Sequence, residues 1–166
     1  MIDRKLRRLK QQLPEHESIE ILKRGQQCVW AVAGDDDFPY AVPVNYVYSD
    51  GAIYIHCARQ GHKLDAITRN PKCSICVIDK DDVVPEKFTT YFKSVIAFGL
   101  AEIIEDRTLV IEALRHLSEK YSPGIDPTDE IAKFMKTVCI VKITPLQITG
   151  KEAIELTGMR QAPGSH

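Results

Sequence analysis

Two histidines, a lysine and an asparagine between residues 42 and 71 are the side chains of this chain best placed to do chemistry. The stretch reads VPVNYVYSDGAIYIHCARQGHKLDAITRNP. Asp50-Gly51, set between two runs rich in β-branched and aromatic residues, predicts a two-residue type I′ turn, which needs positive φ at both positions. A turn that tight sets Ser49 against Ala52, Val47 against Tyr54 and Asn45 against His56. Alternation then places Asn45, Val47, Tyr54 and His56 on one face, and Val44, Tyr46, Tyr48, Ile53 and Ile55 on the other. An amide beside an imidazole can hydrogen-bond a ligand, and a histidine with an ordinary pKa of about 6.5 can deliver a proton. The blander alternative is a hairpin histidine held in place by Asn45.

Beyond His56 the chain enters a polar loop, Arg59-Gln60-Gly61-His62-Lys63, and then a short helix predicted over Leu64–Arg69 that stops at Asn70-Pro71. Gly61 lets backbone come close to a ligand. Free N–H groups at a helix start beside a lysine attract an anion, phosphate above all. The same pattern also suits a solvated loop in which Asp65 supplies the charge at the helix start.

The remaining elements must position these groups. Asp3 can cap a first helix, and Pro14 breaks it before a second over Glu15–Arg24, ended by Gly25. Cys28–Ala33 reads as a fully apolar strand, and Phe38–Tyr48 returns as the first arm of the hairpin. Pro39 and Pro43 lack an N–H, which makes that arm an edge, irregular, or turned toward a ligand. Cys73–Ile78 is another strand, and the polar stretch 80–87 has the length of a loop that covers a site. Phe88–Ile104 is a long strand with a bulge or bend expected at Gly99. A helix over Thr108–Lys120 follows, capped by Asp106, with Leu109, Leu114 and Leu117 on its inner side. Thr128–Met135 is a shorter helix, and Val138–Ile148 closes the sheet. Six antiparallel strands with peripheral helices suit a small closed β-barrel and not a doubly wound sheet.

Composition narrows the function. With 166 residues, 44% of them hydrophobic and 27% charged, the chain can bury one sizeable core. A net charge of −1 argues against nucleic-acid binding. The basic run at 4–10 is balanced by Glu15, Glu17 and Glu20, and reads as a solvated helix face or an arm clasping a subunit. No apolar run approaches the roughly 18–20 residues of a membrane span, and no secretion signal is evident. Five cysteines, an odd number scattered through apolar segments, fit a reducing cytoplasmic setting. Cys73 and Cys76 lie on a strand with opposite orientations, so they read as core cysteines and no metal site is expected. His16, His116 and His166 read as surface residues, and Trp30 and Tyr91 as core or interface aromatics.

The order of AVPVNYVY, IYIHCARQGHK, a short helix, Asn70-Pro71, an apolar strand and YFKSVIAFGLAEI resembles the FMN-binding split-barrel superfamily of pyridoxamine 5'-phosphate oxidases, nearest its nitroimidazole-resistance-like branch. The resemblance implies a mainly β, six-stranded antiparallel split barrel with peripheral helices. One FMN-binding domain would span residues 1–150, residues 1–25 forming a helical arm, and residues 151–166 would be a loose tail or a strap onto a partner. It implies that Pro43, Val44 and Asn45 run along the flavin ring, and that His56, Cys57 and Ala58 end a strand beside it. Gly61, His62 and Lys63 would grip the phosphate, and Ser94 would reach the ribityl-phosphate tail. His56 would be the catalytic residue, and a homodimer would hold two flavins at its interface.

The function implied is an FMN-dependent oxidoreductase that reduces a small acceptor such as a nitro-aromatic, with NADH or NADPH as electron source. The arginine-led flavin motif of the oxidases proper is replaced by AVPVNY, and their C-terminal Arg/His substrate motif has no counterpart in ITGKEAIELTGMR. Both departures argue against vitamin B6 oxidation. The alternatives are a pyridoxamine-phosphate-oxidase-like enzyme, a split barrel that carries flavin or haem without turnover, and an empty structural dimer.

Overall fold

Asp50 and Gly51 adopt φ of 49° and 78°, the pair of positive values that a type I′ turn requires. In the computed structural model, which describes residues 5–161, this turn joins a three-residue strand β3 (Val47–Ser49) to β4 (Ala52–Ala58). Ser49 faces Ala52 and Val47 faces Tyr54, in the register the turn dictates. The third pair does not form. Asn45 belongs instead to β2 (Pro39–Asn45), where it pairs with Gln27 of β1 (Gln27–Ala33). Tyr46 alone separates the two strands, so the single arm expected over Phe38–Tyr48 is cut in two.

That cut closes the barrel. The chain continues through α2 (His62–Arg69), β5 (Lys72–Val84), β6 (Thr89–Ile104) and β7 (Val138–Glu152). The seven strands form one sheet in the order β2-β1-β5-β6-β7-β4-β3, with antiparallel pairing throughout. Its two end strands are consecutive pieces of one arm, joined at Tyr46, so the sheet returns on itself. Counting that bent arm once gives the six strands expected. Pro39 and Pro43 both fall on β2, an end strand that pairs with β1 alone, where a missing N–H costs least.

Tyr46 is fully buried, and its polar atoms are satisfied by two helices, α1 (Glu15–Arg24) and α3 (Arg107–Tyr121). Its hydroxyl donates to the Leu22 carbonyl at 2.7 Å. Its N–H donates to the Tyr121 hydroxyl at 2.9 Å, and its carbonyl accepts from Lys120 Nζ at 2.8 Å. The Lys120 ammonium also donates to the Gly25 carbonyl at 2.6 Å and sits 4.0 Å from the centre of the Tyr46 ring. Burial pulls the Lys120 pKa down to about 8. Gly25 is required here for space. A Cβ would lie 2.6 Å from the Tyr46 hydroxyl and 2.7 Å from Val77, while φ is an ordinary −59°.

The interior of the barrel is filled by Trp30, Ile53, Ile55, Ile75, Val77, Val95, Val141 and Ile143, with Ile21 and Leu22 of α1 and Leu64 and Ile67 of α2 packed against them. A second cluster lies outside the barrel wall, where Val110, Ala113 and Leu117 of α3 cover Val47, Tyr54 and Ile140. Both hairpin faces are therefore buried over part of their length, one inward and one under α3. Leu109, expected on the inner side of that helix, is exposed, and Val110 takes its place. Asp106 caps α3 as expected, accepting from the N–H groups of Thr108 and Leu109. Gly99 sits at a register shift between β6 and β7, where a Cβ would come within 2.7 Å of the Thr144 carbonyl.

Four further expectations change. The segment 80–87 is not a covering loop: β5 runs on to Val84 and β6 starts at Thr89, so the two strands form one long hairpin with its tip at Pro85–Phe88. Cys76 faces outward, half-buried, and only Cys73 of that pair joins the core. At the N-terminus Asp3 lies outside the described residues, and in place of the expected first helix the described residues 5–13 contain one 3-10 turn, Leu9–Gln11. The expected loose tail is structured as far as residue 161. After α4 (Thr128–Phe134), β7 extends to Glu152, and α5 (Ile154–Gln161) folds back on its own chain. There Arg160 reaches the fully buried Glu152 at 2.8 Å, Lys93 lies 3.6 Å from the same carboxylate, and Gln11 donates to the Glu152 carbonyl. No helix among the described residues is long and apolar enough to cross a membrane.

Removing the Tyr121 hydroxyl leaves the Tyr46 N–H without its acceptor at a buried corner. Tyr121→Phe should cost about 1–3 kcal/mol in urea denaturation, and unchanged stability would show that the corner does not depend on it. The pH profile follows from burial. All five thiols are pushed up from their ordinary value, Cys57 to about 11 and Cys28 to about 12, so the folded chain keeps protons there that the unfolded chain releases. That contribution is present below pH 9 and lost as pH rises through the folded values. Lys120, with its lowered pKa, acts in the opposite sense above about pH 8. Five thiols outweigh one amine, so the urea midpoint should decline above pH 9, and a midpoint still rising at pH 10 would contradict this.

Candidate functional site

The end of β4 is where the hairpin leaves the protection of the core. Ile55 is fully buried, His56 is exposed, Cys57 is half-buried and Ala58 is exposed. These three residues line one wall of a groove of about 510 Å³. Asn45 lines the same groove, so the structure brings amide and imidazole to one site although they are not paired across strands. The opposite wall comes from Leu114, Leu117, Ser118 and Tyr121 of α3, with Phe134 and Thr137 closing one end. The mixture of apolar lining and a few polar groups, at this volume, is typical of a small-molecule site.

Pro43 and Asn45 project from the exposed side of β2, while Val44 points inward and packs against the core. Val44 is half-buried, with part of its side chain against the core. At the far side of β4, Gly61 has φ 128°, ψ 169°, a conformation closed to L-residues, and a Cβ there would meet nothing within 4 Å. Conformation is what fixes glycine at this position. The helix begins two residues earlier than the sequence pattern predicts, at His62, so His62 and Lys63 form its first turn. No side chain caps that helix start, whose N–H groups and dipole favour an anion. The Lys63 ammonium lies close enough to Cys57 to favour its thiolate, though burial, the larger effect, holds the thiol at about 11 and therefore protonated at neutral pH.

His62 is engaged elsewhere. Its ring stacks on Tyr40 with centroids 4.2 Å apart, its Nε2 accepts the Asp35 N–H at 3.3 Å, and the Asp35 carboxylate is 3.7 Å away. Arg69 binds the same carboxylate at 2.7 Å and, with His62, holds its pKa below the usual range. With Nε2 occupied, only Nδ1 remains to donate to a phosphate. Ser94 is separated from the rest. His56 pairs with Ile140 and Ile140 with Ile104, and Ser94 is ten residues further along β6, about 33 Å of strand. In one chain Ser94 does not reach the His56 groove. It lies instead in the row Ile78–Ser94–Lys151, on the same outward sheet face as the exposed Val29, Ile78, Ile96 and Leu100.

The groove residues on α3 and α4 escape a reading of the sequence. Leu114 and Leu117 look like ordinary core positions, and nothing local marks Ser118, Tyr121, Phe134 or Thr137 as facing the end of β4. Among the described residues no group of three or more His, Cys, Asp or Glu side chains is placed to hold a metal ion.

Solved structures share this architecture. A candidate 5-nitroimidazole antibiotic resistance protein from Bacteroides thetaiotaomicron superimposes with a TM-score of 0.74 at 22% identity, over 85% of this chain and 86% of that one. The flavocytochrome Anf3 from Azotobacter vinelandii gives 0.76 at 18% identity, over 90% and 72%. The FAD and heme binding protein from Mycobacterium smegmatis gives 0.73 at 16% identity, over 92% and 80%. At such identities the likeness establishes the fold alone. No curated protein matches the sequence. The sequence profile of the pyridoxamine 5'-phosphate oxidase family matches residues 14–152, which takes in the barrel, the groove and the Gly61–Lys63 turn. On that match, and with the resemblance read from the motifs borne out, the chain belongs to the pyridoxamine 5'-phosphate oxidase family.

Proposed function

We propose that the groove at the end of β4 binds FMN and that the protein is an FMN-dependent oxidoreductase reducing a small acceptor such as a nitro-aromatic. The observation that carries this reading is the groove walled by His56–Ala58 and Asn45, with an uncapped helix start just beyond β4 whose Lys63 acts electrostatically on Cys57 of that wall. Lys63 and the first N–H groups of α2 suit a phosphate, Gly61 gives the backbone turn that presents them, and the walls of α3 and β4 suit a flat aromatic ring. Bound FMN would supply the electron-transfer chemistry, taking electrons from NADH or NADPH. Asn45 orients by hydrogen bonding, the apolar side chains of α3 exclude water, and His56 holds or delivers a proton at the acceptor.

A homodimer completes the proposal. The outward sheet face carrying Val29, Ile78, Ile96 and Leu100 leaves large apolar side chains in water, and Ser94 lies among them. Two copies joined through that face would bury them and bring Ser94 of one copy toward the flavin of the other. A second reading, a split barrel that carries flavin or haem without turnover, is suggested by the solved structures of like fold described as a flavocytochrome and as an FAD and heme binding protein.

The visible spectrum of the purified protein tests the cofactor: flavin gives a yellow protein, haem a red one, and a colourless protein that ignores added FMN removes both readings. Lys63→Ala should weaken FMN binding by about 1.5–3 kcal/mol in a fluorescence titration, and unchanged affinity takes Lys63 out of the phosphate site. His56→Ala should keep FMN and slow anaerobic reoxidation by a nitro-aromatic. Loss of both cofactor and turnover would instead mark His56 as structural. In light scattering the particle should have twice the 18.7 kDa chain mass.

A further inference from the structure

On the other flank of β4 lies a second cavity of about 620 Å³ that shares only Val138 with the groove. His56 does not line it, and Lys63 lines neither recess. Three cations from three separate elements do: Arg59 from the loop after β4, Arg107 at the first position of α3, and Lys136 from the turn before β7. Glu105 is the one carboxylate among the lining residues. The floor is apolar, made by Leu64, Val110, Met135 and Val138.

The charges in this cavity are not spent on the fold. Arg59 Nη2 donates to the Met135 carbonyl at 3.0 Å, which fixes the guanidinium in direction and leaves its other N–H groups available. Among the described residues the Arg107 and Lys136 side chains have no ion-pair or hydrogen-bond partner. The helix end beside Arg107 is already satisfied by Asp106, so any anion would be held by side chains and not by the α3 dipole. Three cations against one carboxylate, over an apolar floor, match a molecule that is apolar along its body and anionic at one end. An inorganic ion would leave most of this volume and all of the floor unused.

We infer that this cavity is a second ligand site, separate from the groove, that binds an organic anion with an apolar body, a carboxylate, sulfonate or phosphate head meeting Arg59, Arg107 and Lys136. The inference holds whether or not the groove carries a flavin. The probe is 8-anilinonaphthalene-1-sulfonate, titrated by its fluorescence gain against the intact purified chain, with uncharged N-phenyl-1-naphthylamine as the matched control. Saturable sulfonate binding is expected, with the uncharged analogue weaker. The double variant Arg107→Gln/Lys136→Gln should bind the sulfonate about tenfold or more weakly, bind the uncharged analogue unchanged, and keep its melting temperature and any flavin absorbance. Glu105→Gln should tighten sulfonate binding. Wild-type sulfonate affinity in the double variant, or equal binding of the charged and uncharged probes, would overturn the assignment.

Discussion

Closure of the barrel at Tyr46 is the constraint on which the rest of the structure depends. A sheet whose first and last strands are pieces of one arm must turn a corner between them, and at that corner the ladder hydrogen bonds of one residue are lost. Tyr46 is fully buried, so its N–H and carbonyl cannot fall back on water. The Tyr121 hydroxyl and the Lys120 ammonium take the place of the missing strand, and the Tyr46 hydroxyl in turn caps the carbonyl of Leu22. One residue thereby ties the barrel seam to α1 and α3. The ammonium is kept in this half-buried place by two carbonyls and the face of the Tyr46 ring, which offset only part of the cost that burial imposes on its charge.

The same corner creates the groove. Because α3 is anchored to the seam by its last two residues, its Leu114–Tyr121 face is held opposite the end of β4. Strand β4 carries core residues as far as Ile55 and then runs out from under that cover, so His56 and Asn45 come to the surface together. The turn at Gly61 follows at once and swings α2 across the barrel end, with Leu64 and Ile67 inside and Lys63 at the helix start. Two neighbouring recesses result, with different characters. The groove has a histidine, an amide and an apolar wall. The cavity on the other flank has a surplus of cations over an apolar floor.

Much of this is legible in the chain itself, for local reasons. The Asp50-Gly51 turn and its first two cross-strand pairs follow from backbone conformation, since few sequences accept positive φ twice in succession. The α1 boundaries follow from Pro14 and Gly25, and the α3 start follows from Asp106. Gly61 marks the turn before α2 because no L-residue accepts its conformation, and the ordered motifs from AVPVNYVY to YFKSVIAFG are enough to indicate the family.

What the chain does not carry locally is decided by contacts between distant residues. Asn45 leaves its expected partner because Gln27 competes for the β2 ladder, and only the closed sheet settles that competition. His62 turns to Tyr40 and Asp35, which are 22 and 27 positions away, and Ser94 is carried from the His56 groove by the β6–β7 register. The end of the chain looks like a polar tail until Glu152 is buried, when Arg160 must follow to meet its charge. The sequence by itself determined the turns, the caps and the residue types able to do chemistry, because these depend on backbone conformation and composition within a few positions. Tertiary structure alone decided which of those residues share a groove, because that depends on how a sheet closes and on what its corner needs to bury.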